Sequence, residues 1–314
     1  MKVFSRLPLL PAIIVLLAIS LRGDCATLPD GNATIRAAAG PSEIVITTTS
    51  RLAGAIHSLT WNGREFIDSA DHGRQLQSAL NLDNGTPILA ETYNPTEAGS
   101  RDDAATSSSR ILFLRAEPNS LQTVSQMAFW LAPGEKSGPN PAKNRTLLSD
   151  HLLTKRVTIG YANLPHVISY DVVFGLPIGE RHREVVFEAL TGYMPWEFDK
   201  FYQLNTKSGE LETLTTKDAE DLQPLVFSTP SGSHAMGIIA PPQKQRKIVG
   251  PTYGNFRFPL ERVVKWNCVF RLSDNDGISP GEYRFCMFVV VGDLSTVRSS
   301  LCELQRLFPT RAKR

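Results

Sequence analysis

The segment from Asp68 to Asp103 concentrates the side chains able to do acid–base or ligand chemistry. Asp71-His72-Gly73-Arg74-Gln75 is followed by Gln77, and Tyr93-Asn94-Pro95-Thr96-Glu97-Ala98-Gly99-Ser100-Arg101-Asp102-Asp103 forms a second polar cluster. An arginine beside a carboxylate keeps that carboxylate ionised, which suits a base or nucleophile. On this reading Glu97 or Asp102 is the catalytic base and His72 the acid. Arg74, Gln77 and Arg101 hold a hydroxylated or acidic ligand, and Tyr93 supplies a stacking or acid group. The competing reading is structural, with Arg74 paired to Asp71 and the second cluster forming a salt-bridged loop. The two readings differ in geometry: catalysis requires both clusters to line one cleft.

Other residues carry weaker signals. Tyr193 and Trp196 sit in an aromatic-rich turn; they offer flat faces that suit the apolar faces of pyranose rings, or they belong to the core. His57, His151 and His166 fall in strand-like runs, and His182 lies in the charged stretch Glu180-Arg181-His182-Arg183-Glu184, which reads as a solvated turn. Glu188 interrupts an apolar run; pointing inward, it needs a partner or a raised pKa. The chain contains no phosphate-binding glycine loop, nucleophile elbow or metal-binding helix. No cysteine or histidine spacing resembles a zinc site, so the sequence invokes neither metal nor cofactor.

The elements that position these groups are strands. Glu43 to Thr49 alternates and is β-branched. Asn62-Gly63 between two alternating runs marks a tight hairpin, because both central residues tolerate positive φ. Leu76 to Leu82 is a candidate strand without clean alternation, Arg110 to Ala116 and Leu121 to Leu131 read as strands, and Leu147 to Gly160, His166 to Phe174 and Arg183 to Leu190 are apolar-rich runs. Arg262 to Leu272 and Tyr283 to Val291 read as a last hairpin, in which Cys268 and Cys286 face each other. A disulfide between these two, one between Cys286 and Cys302, or free thiols all fit. Asp293 caps a final helix, Leu294 to Leu307, stopped by Pro309. Many short strands and one helix predict an all-β fold.

The 314 residues carry a formal charge of +2, which gives no electrostatic case for nucleic acid. Lys244-Gln245-Arg246-Lys247 and Arg311-Ala312-Lys313-Arg314 read as a solvated loop and a tail. Lys2 and Arg6 precede the apolar run Leu7 to Leu21, which is short for a membrane span and fits a secretory signal. The expectation is a signal peptide over 1–25, one β domain over 26–314, no stable membrane span after cleavage, and a secreted or periplasmic location.

The hairpin Gly54-Ala55-Ile56-His57-Ser58-Leu59-Thr60-Trp61-Asn62-Gly63-Arg64-Glu65-Phe66-Ile67, with the polar loops after it, resembles the opening of the galactose-mutarotase-like supersandwich group. The resemblance implies a large antiparallel β-supersandwich with one C-terminal helix and a carbohydrate ligand on the concave sheet face. Such folds occur in epimerases and as domains of polysaccharide lyases and glycoside hydrolases. The Asn-His segment and C-terminal glutamate base of mutarotases are not evident around His151, His166, Glu282 or Glu303. The sequence therefore predicts a carbohydrate-active protein, of hydrolase, lyase or epimerase type. The alternatives are a non-catalytic glycan-binding module and a structural envelope protein.

Overall fold

The computed structural model describes residues 28–85, 87–214, 219–243 and 247–309. The expected signal segment, the Lys244–Arg246 part of the basic loop and the basic tail lie outside these residues. Strand β1 (Ala33–Ala39) turns into β2 (Ser42–Thr48), and β3 (Ile56–Trp61) turns into β4 (Arg64–Glu65). At the second turn Asn62 and Gly63 take φ of 50° and 72°, the conformation the Asn-Gly pair predicts. Next come β5 (Leu76–Leu82), β6 (Pro95–Thr96), β7 (Arg110–Glu117), β8 (Ser120–Phe129), β9 (Lys136–Ser137) and β10 (Asn140–Pro141). Three long strands follow, β11 (Leu148–Tyr161), β12 (Leu164–Leu176) and β13 (His182–Pro195). Shorter ones are β14 (Lys200–Leu204), β15 (Leu211–Thr213), β16 (Ala219–Asp221), β17 (Leu225–Ser228) and β18 (Ala235–Ile239). The last are β19 (Ile248–Phe258), β20 (Val263–Ile278) and β21 (Gly281–Gly292), before helix α1 (Leu294–Leu307).

Among the described residues every strand pairing is antiparallel, and the strands form two layers. In one, β19, β20, β13 and β5 are neighbours, and β3 joins β5 to β2 and β1. In the other, the order is β7, β8, β11, β12, β21, β18, β17, β14, β15. The small β6 connects β5 to β8 and so ties the layers at one side. Between the layers Phe187 of β13 meets Phe174 of β12 at 5.4 Å and Phe285 of β21 at 4.9 Å, and Phe270 of β20 stacks on Phe285 at 4.6 Å. Each fully buried side chain of this size contributes roughly 1.5–3 kcal/mol of hydrophobic stabilisation. The layers thus close as an all-β sandwich around an aromatic core. Helix α1 begins at Asp293, whose carboxylate accepts from the Thr296 N–H, and packs Val297, Leu301 and Leu304 beneath β18 and β21. No helix of the described residues is long and apolar enough to cross a membrane.

The expected last hairpin is corrected. β20 pairs with β13 and β19, whereas β21 pairs with β12 and β18, so the turn between them carries the chain from one layer to the other. Cys268 stands opposite Leu190 and Cys286 opposite Asp171, and Cys268, Cys286 and Cys302 are free thiols. Both long runs are apolar because each faces the core, not because they face each other.

Candidate functional site

The two polar clusters do not meet in one open cleft. His72 is 1% exposed, and its ring nitrogens face the carbonyl oxygens of Ala98 at 2.9 Å and Ala104 at 3.0 Å. Glu97 is also 1% exposed; it forms an ion pair with Lys155 of β11 and accepts from the Ser78 N–H at 3.1 Å. The Lys155 ammonium donates in addition to the Gly54 carbonyl at 3.1 Å. The expected acid and base are therefore sealed, and the role both play here is to hold backbone. Asp102 is the opposite case. It lies on the surface beside Arg101, which pairs with Glu135 at 2.9 Å, and neither residue lines a cavity with the other predicted groups. Tyr93 is buried against Phe129, ring to ring at 4.7 Å, and its phenol is directed to Glu180. Trp196 is half-buried against the main core. The assignment of His72, Glu97, Asp102, Tyr93, Arg101 and Trp196 to one ligand site is thus corrected by burial and by direction. Three predicted binding residues, Arg74, Gln77 and Tyr193, do come together.

They do so along the outer face of β5, β13 and β20. β5 alternates: Leu76, Ser78, Leu80 and Leu82 turn inward, while Gln77, Ala79 and Asn81 turn out into a groove. β13 cannot supply Glu188, Thr191 and Tyr193 to one face by simple alternation, because the first two are three positions apart. A β-bulge resolves this. The pairing shifts between Glu188 and Thr191 against β5, and between Glu188 and Leu190 against β20. Ala189 and Leu190 are both buried as a consequence, and Glu188, Thr191 and Tyr193 share the groove. Bulges re-aim side chains in this way. Lys265 of β20 stands opposite Tyr193 in register and completes the floor.

The walls come from loops and from β6. Ala90, Glu91, Asn94 and Thr96 line one side. Trp130 covers Gly73 so closely that a Cβ on Gly73 would sit 2.6 Å from the indole, which accounts for glycine at that position. Gln77 fastens this loop, donating to the Gly73 carbonyl at 2.9 Å and accepting from the Ala98 N–H at 3.1 Å. The first part of the groove encloses about 230 Å³. It continues past Gly73, Trp130 and Tyr193 into about 160 Å³ bordered by Asp71, Arg74, Phe258, Glu261 and Val263. Arg74 is held by Asp71 at 3.0 Å, as the structural reading of that pair expected.

At the centre lies an ion pair. Glu188 faces the Lys265 ammonium at 3.4 Å and accepts from Asn81 at 3.2 Å and Thr191 at 3.1 Å. Burial alone would raise the Glu188 pKa, but Lys265 and the surrounding donors outweigh it and hold the carboxyl below its ordinary value. Burial likewise opposes the Lys265 charge, and Glu188 with Tyr193 overcomes it, so the ammonium is held above its ordinary value. Desolvation raises the Tyr193 phenol. Lys265 also lies 5.2 Å from the Tyr193 ring centroid and 5.3 Å from that of Phe256, a cation–π arrangement. The groove therefore presents an ionised carboxylate, an ammonium, amides and aromatic rings along one strip.

Trp130, Lys265, Asn81 and the groove role of Glu188 escaped the sequence reading, although the need of Glu188 for a partner was legible. A larger cleft of about 900 Å³, lined by Asp83, Glu180, His182, Ser273 and Asp276 among others, has no Phe, Tyr or Trp side chain in its lining. His182, expected in a solvated turn, is 6% exposed at the edge of this cleft and hydrogen-bonded to the Asp83 carbonyl at 2.6 Å.

No known protein family matches the chain, and no curated protein matches it. Among solved structures it is similar to the Slr1438 protein from Synechocystis sp. PCC 6803, at 9% identity over 85% of this chain and 98% of that one, with a TM-score of 0.45. It is also similar to the GH36 α-galactosidase AgaB from Geobacillus stearothermophilus, at 11% identity over 91% of this chain and 44% of that one, with a TM-score of 0.47. The heparan sulfate lyase HepC from Pedobacter heparinus aligns at 10% identity over 84% of this chain and 35% of that one, with a TM-score of 0.42. The chain thus spans less than half the length of the galactosidase and the lyase.

Proposed function

We propose that the groove on the outer face of β5, β13 and β20 binds a neutral carbohydrate. The observation that carries this reading is the flanking of a polar floor, Asn81, Glu188 and Lys265, by the rings of Trp130 and Tyr193. A pyranose has apolar C–H faces that stack on aromatic rings and hydroxyls that both donate and accept. A carboxylate, an ammonium and amides within one strip satisfy such hydroxyls in both senses. Four carboxylates, Asp71, Glu91, Glu188 and Glu261, border the groove against two cations, Arg74 and Lys265. That balance favours a neutral sugar over a uronic acid. A glycan array probed with the untagged protein tests the reading: neutral glycans are retained and Glu188→Gln abolishes retention. Retention of no glycan would overturn it in favour of a structural envelope role.

Catalysis is a second reading, supported by the ionised state of Glu188. A carboxylate held ionised at neutral pH is a competent base for proton abstraction or for activating water. Incubation of the retained glycan with the wild type distinguishes this from binding alone: product supports catalysis, and intact glycan supports a binding module. We extend the proposal to an extracytoplasmic location, supported by the basic residues ahead of the apolar run Leu7 to Leu21; fractionation of cells making the full chain tests it.

A further inference from the structure

A second constellation lies apart from the groove. His151 of β11 and His182 of β13 come from opposite layers, and Glu180, in the turn before β13, reaches between them. The Glu180 carboxylate stands 2.8 Å from His182 Nε2 and 3.5 Å from His151 Nε2, and the three candidate ligand atoms lie within 4.8 Å of one another. His182 Nδ1 points to the Asp83 carbonyl at 2.6 Å. A proton on Nδ1 makes that hydrogen bond and leaves the Nε2 lone pair aimed at a carboxylate oxygen. Two lone pairs facing at that distance require a positive centre between them, either a proton or a metal.

His151 decides which. The residue is fully buried, and neither of its ring nitrogens has a hydrogen-bond partner. An unpaired buried polar group costs about 1–3 kcal/mol. A proton shared by Glu180 and His182 does nothing for this third lone pair. A metal ion satisfies all three and leaves only His151 Nδ1 without a partner.

We propose that His151, Glu180 and His182 form a binding site for a divalent transition-metal ion of the zinc type, with Nε2 of each histidine and the Glu180 carboxylate as ligands. Zinc takes histidine nitrogen and carboxylate oxygen at about 2.0–2.2 Å, which sets tetrahedral ligand-to-ligand separations near 3.3 Å. The two Glu180 separations, 2.8 and 3.5 Å, bracket that value, and the histidine nitrogens, within 4.8 Å of each other, would draw together by up to about 1.5 Å on binding. The Asp83 carbonyl fixes the His182 tautomer, the orienting contact metal-bound histidines usually have. Glu180 and His182 also border the 900 Å³ cleft, which gives the ion an access route and leaves a fourth position open. Because His151 and His182 belong to different layers, the ion would also fasten the sandwich.

The test is equilibrium dialysis of the untagged full chain against Zn²⁺ with metal analysis, and the thermal midpoint with Zn²⁺ and with chelator. One equivalent bound, with a midpoint raised by zinc and lowered by chelator, is expected. Glu180→Gln, on a turn where folding is least at risk, weakens binding by more than the roughly 10–100-fold that outer-shell partners are worth. Co²⁺ in the wild type should give a nitrogen- and oxygen-ligated tetrahedral spectrum without thiolate charge transfer. Cys302→Ser should retain the full equivalent. Failure to bind one equivalent, a thiolate signature, or undiminished binding in Glu180→Gln would each overturn the site.

Discussion

Two Glu–Lys pairs lie on opposite faces of β5. Ser78 turns inward, and its N–H meets Glu97, which pairs with Lys155 inside the sandwich, both side chains 1% exposed or less. Asn81 turns outward and donates to Glu188, which pairs with Lys265 at the groove, where the side chains are 20% and 15% exposed. The residue types are the same and the strand is the same. Access alone separates them. The inner pair has its partners fixed by the protein and cannot meet a ligand. The outer pair leaves part of its hydrogen-bonding capacity to whatever enters the groove.

The largest separation between the faces is expected from Lys155→Met. Removing one partner of a buried ion pair strands a charge and costs about 3–5 kcal/mol. At roughly 2–4 °C per kcal/mol for a chain of this size, the thermal midpoint falls by about 10 °C, with groove affinity unchanged in the folded fraction. Glu188→Gln should do the reverse. Glycan affinity falls about tenfold or more, since hydrogen bonds to charged groups are worth about 1.5–3 kcal/mol, while the midpoint moves less than in Lys155→Met. If both variants lower the midpoint equally, the faces are not distinct.

Acidification gives a related contrast. The folded Glu188 pKa is depressed, so its contribution is fully present above the unfolded carboxylate value. It is lost as pH falls through the folded value, which lies below the ordinary 4.5. Glycan binding measured by titration should hold from neutrality through about pH 4.5 and fail only at lower pH, where Glu188 takes up its proton. Gly73→Ala is a smaller change. It forces the Trp130 indole to move, costing about 1–3 kcal/mol of overpacking, and should shift tryptophan fluorescence while weakening binding severalfold. Smallest of all, Arg101→Ala breaks only surface pairs and should change stability by less than about 0.5 kcal/mol, with binding unaffected.

Much of the scaffold was legible because it is local. Strand Ser42–Thr48, the Asn62-Gly63 turn and helix Leu294–Leu307 follow from alternation, turn residues and an Asp cap within a few positions. The site was legible only in part, at Gln77, Arg74 and Tyr193, which come from β5, the loop before it and β13. Sequence proximity misled at Glu97, because its direction is fixed by Lys155, a residue on β11 that no local pattern connects to it. The groove position of Glu188 depends on a bulge that swaps the facing of everything after it, and an apolar run does not reveal a bulge. Trp130 and Lys265 enter from separate loops and strands that only the fold brings together. The expected facing of Cys268 and Cys286 failed for a similar reason: two apolar runs joined by a short turn can pair, or can cross between layers.

The most direct measurement is calorimetric titration of a neutral glycan into the wild type and into Trp130→Ala, each with a matched thermal midpoint. The account predicts that loss of the indole weakens binding at least about tenfold, near 1.4 kcal/mol, because the ring is one wall of the site. Equal affinity in the two proteins would place the ligand elsewhere and contradict it.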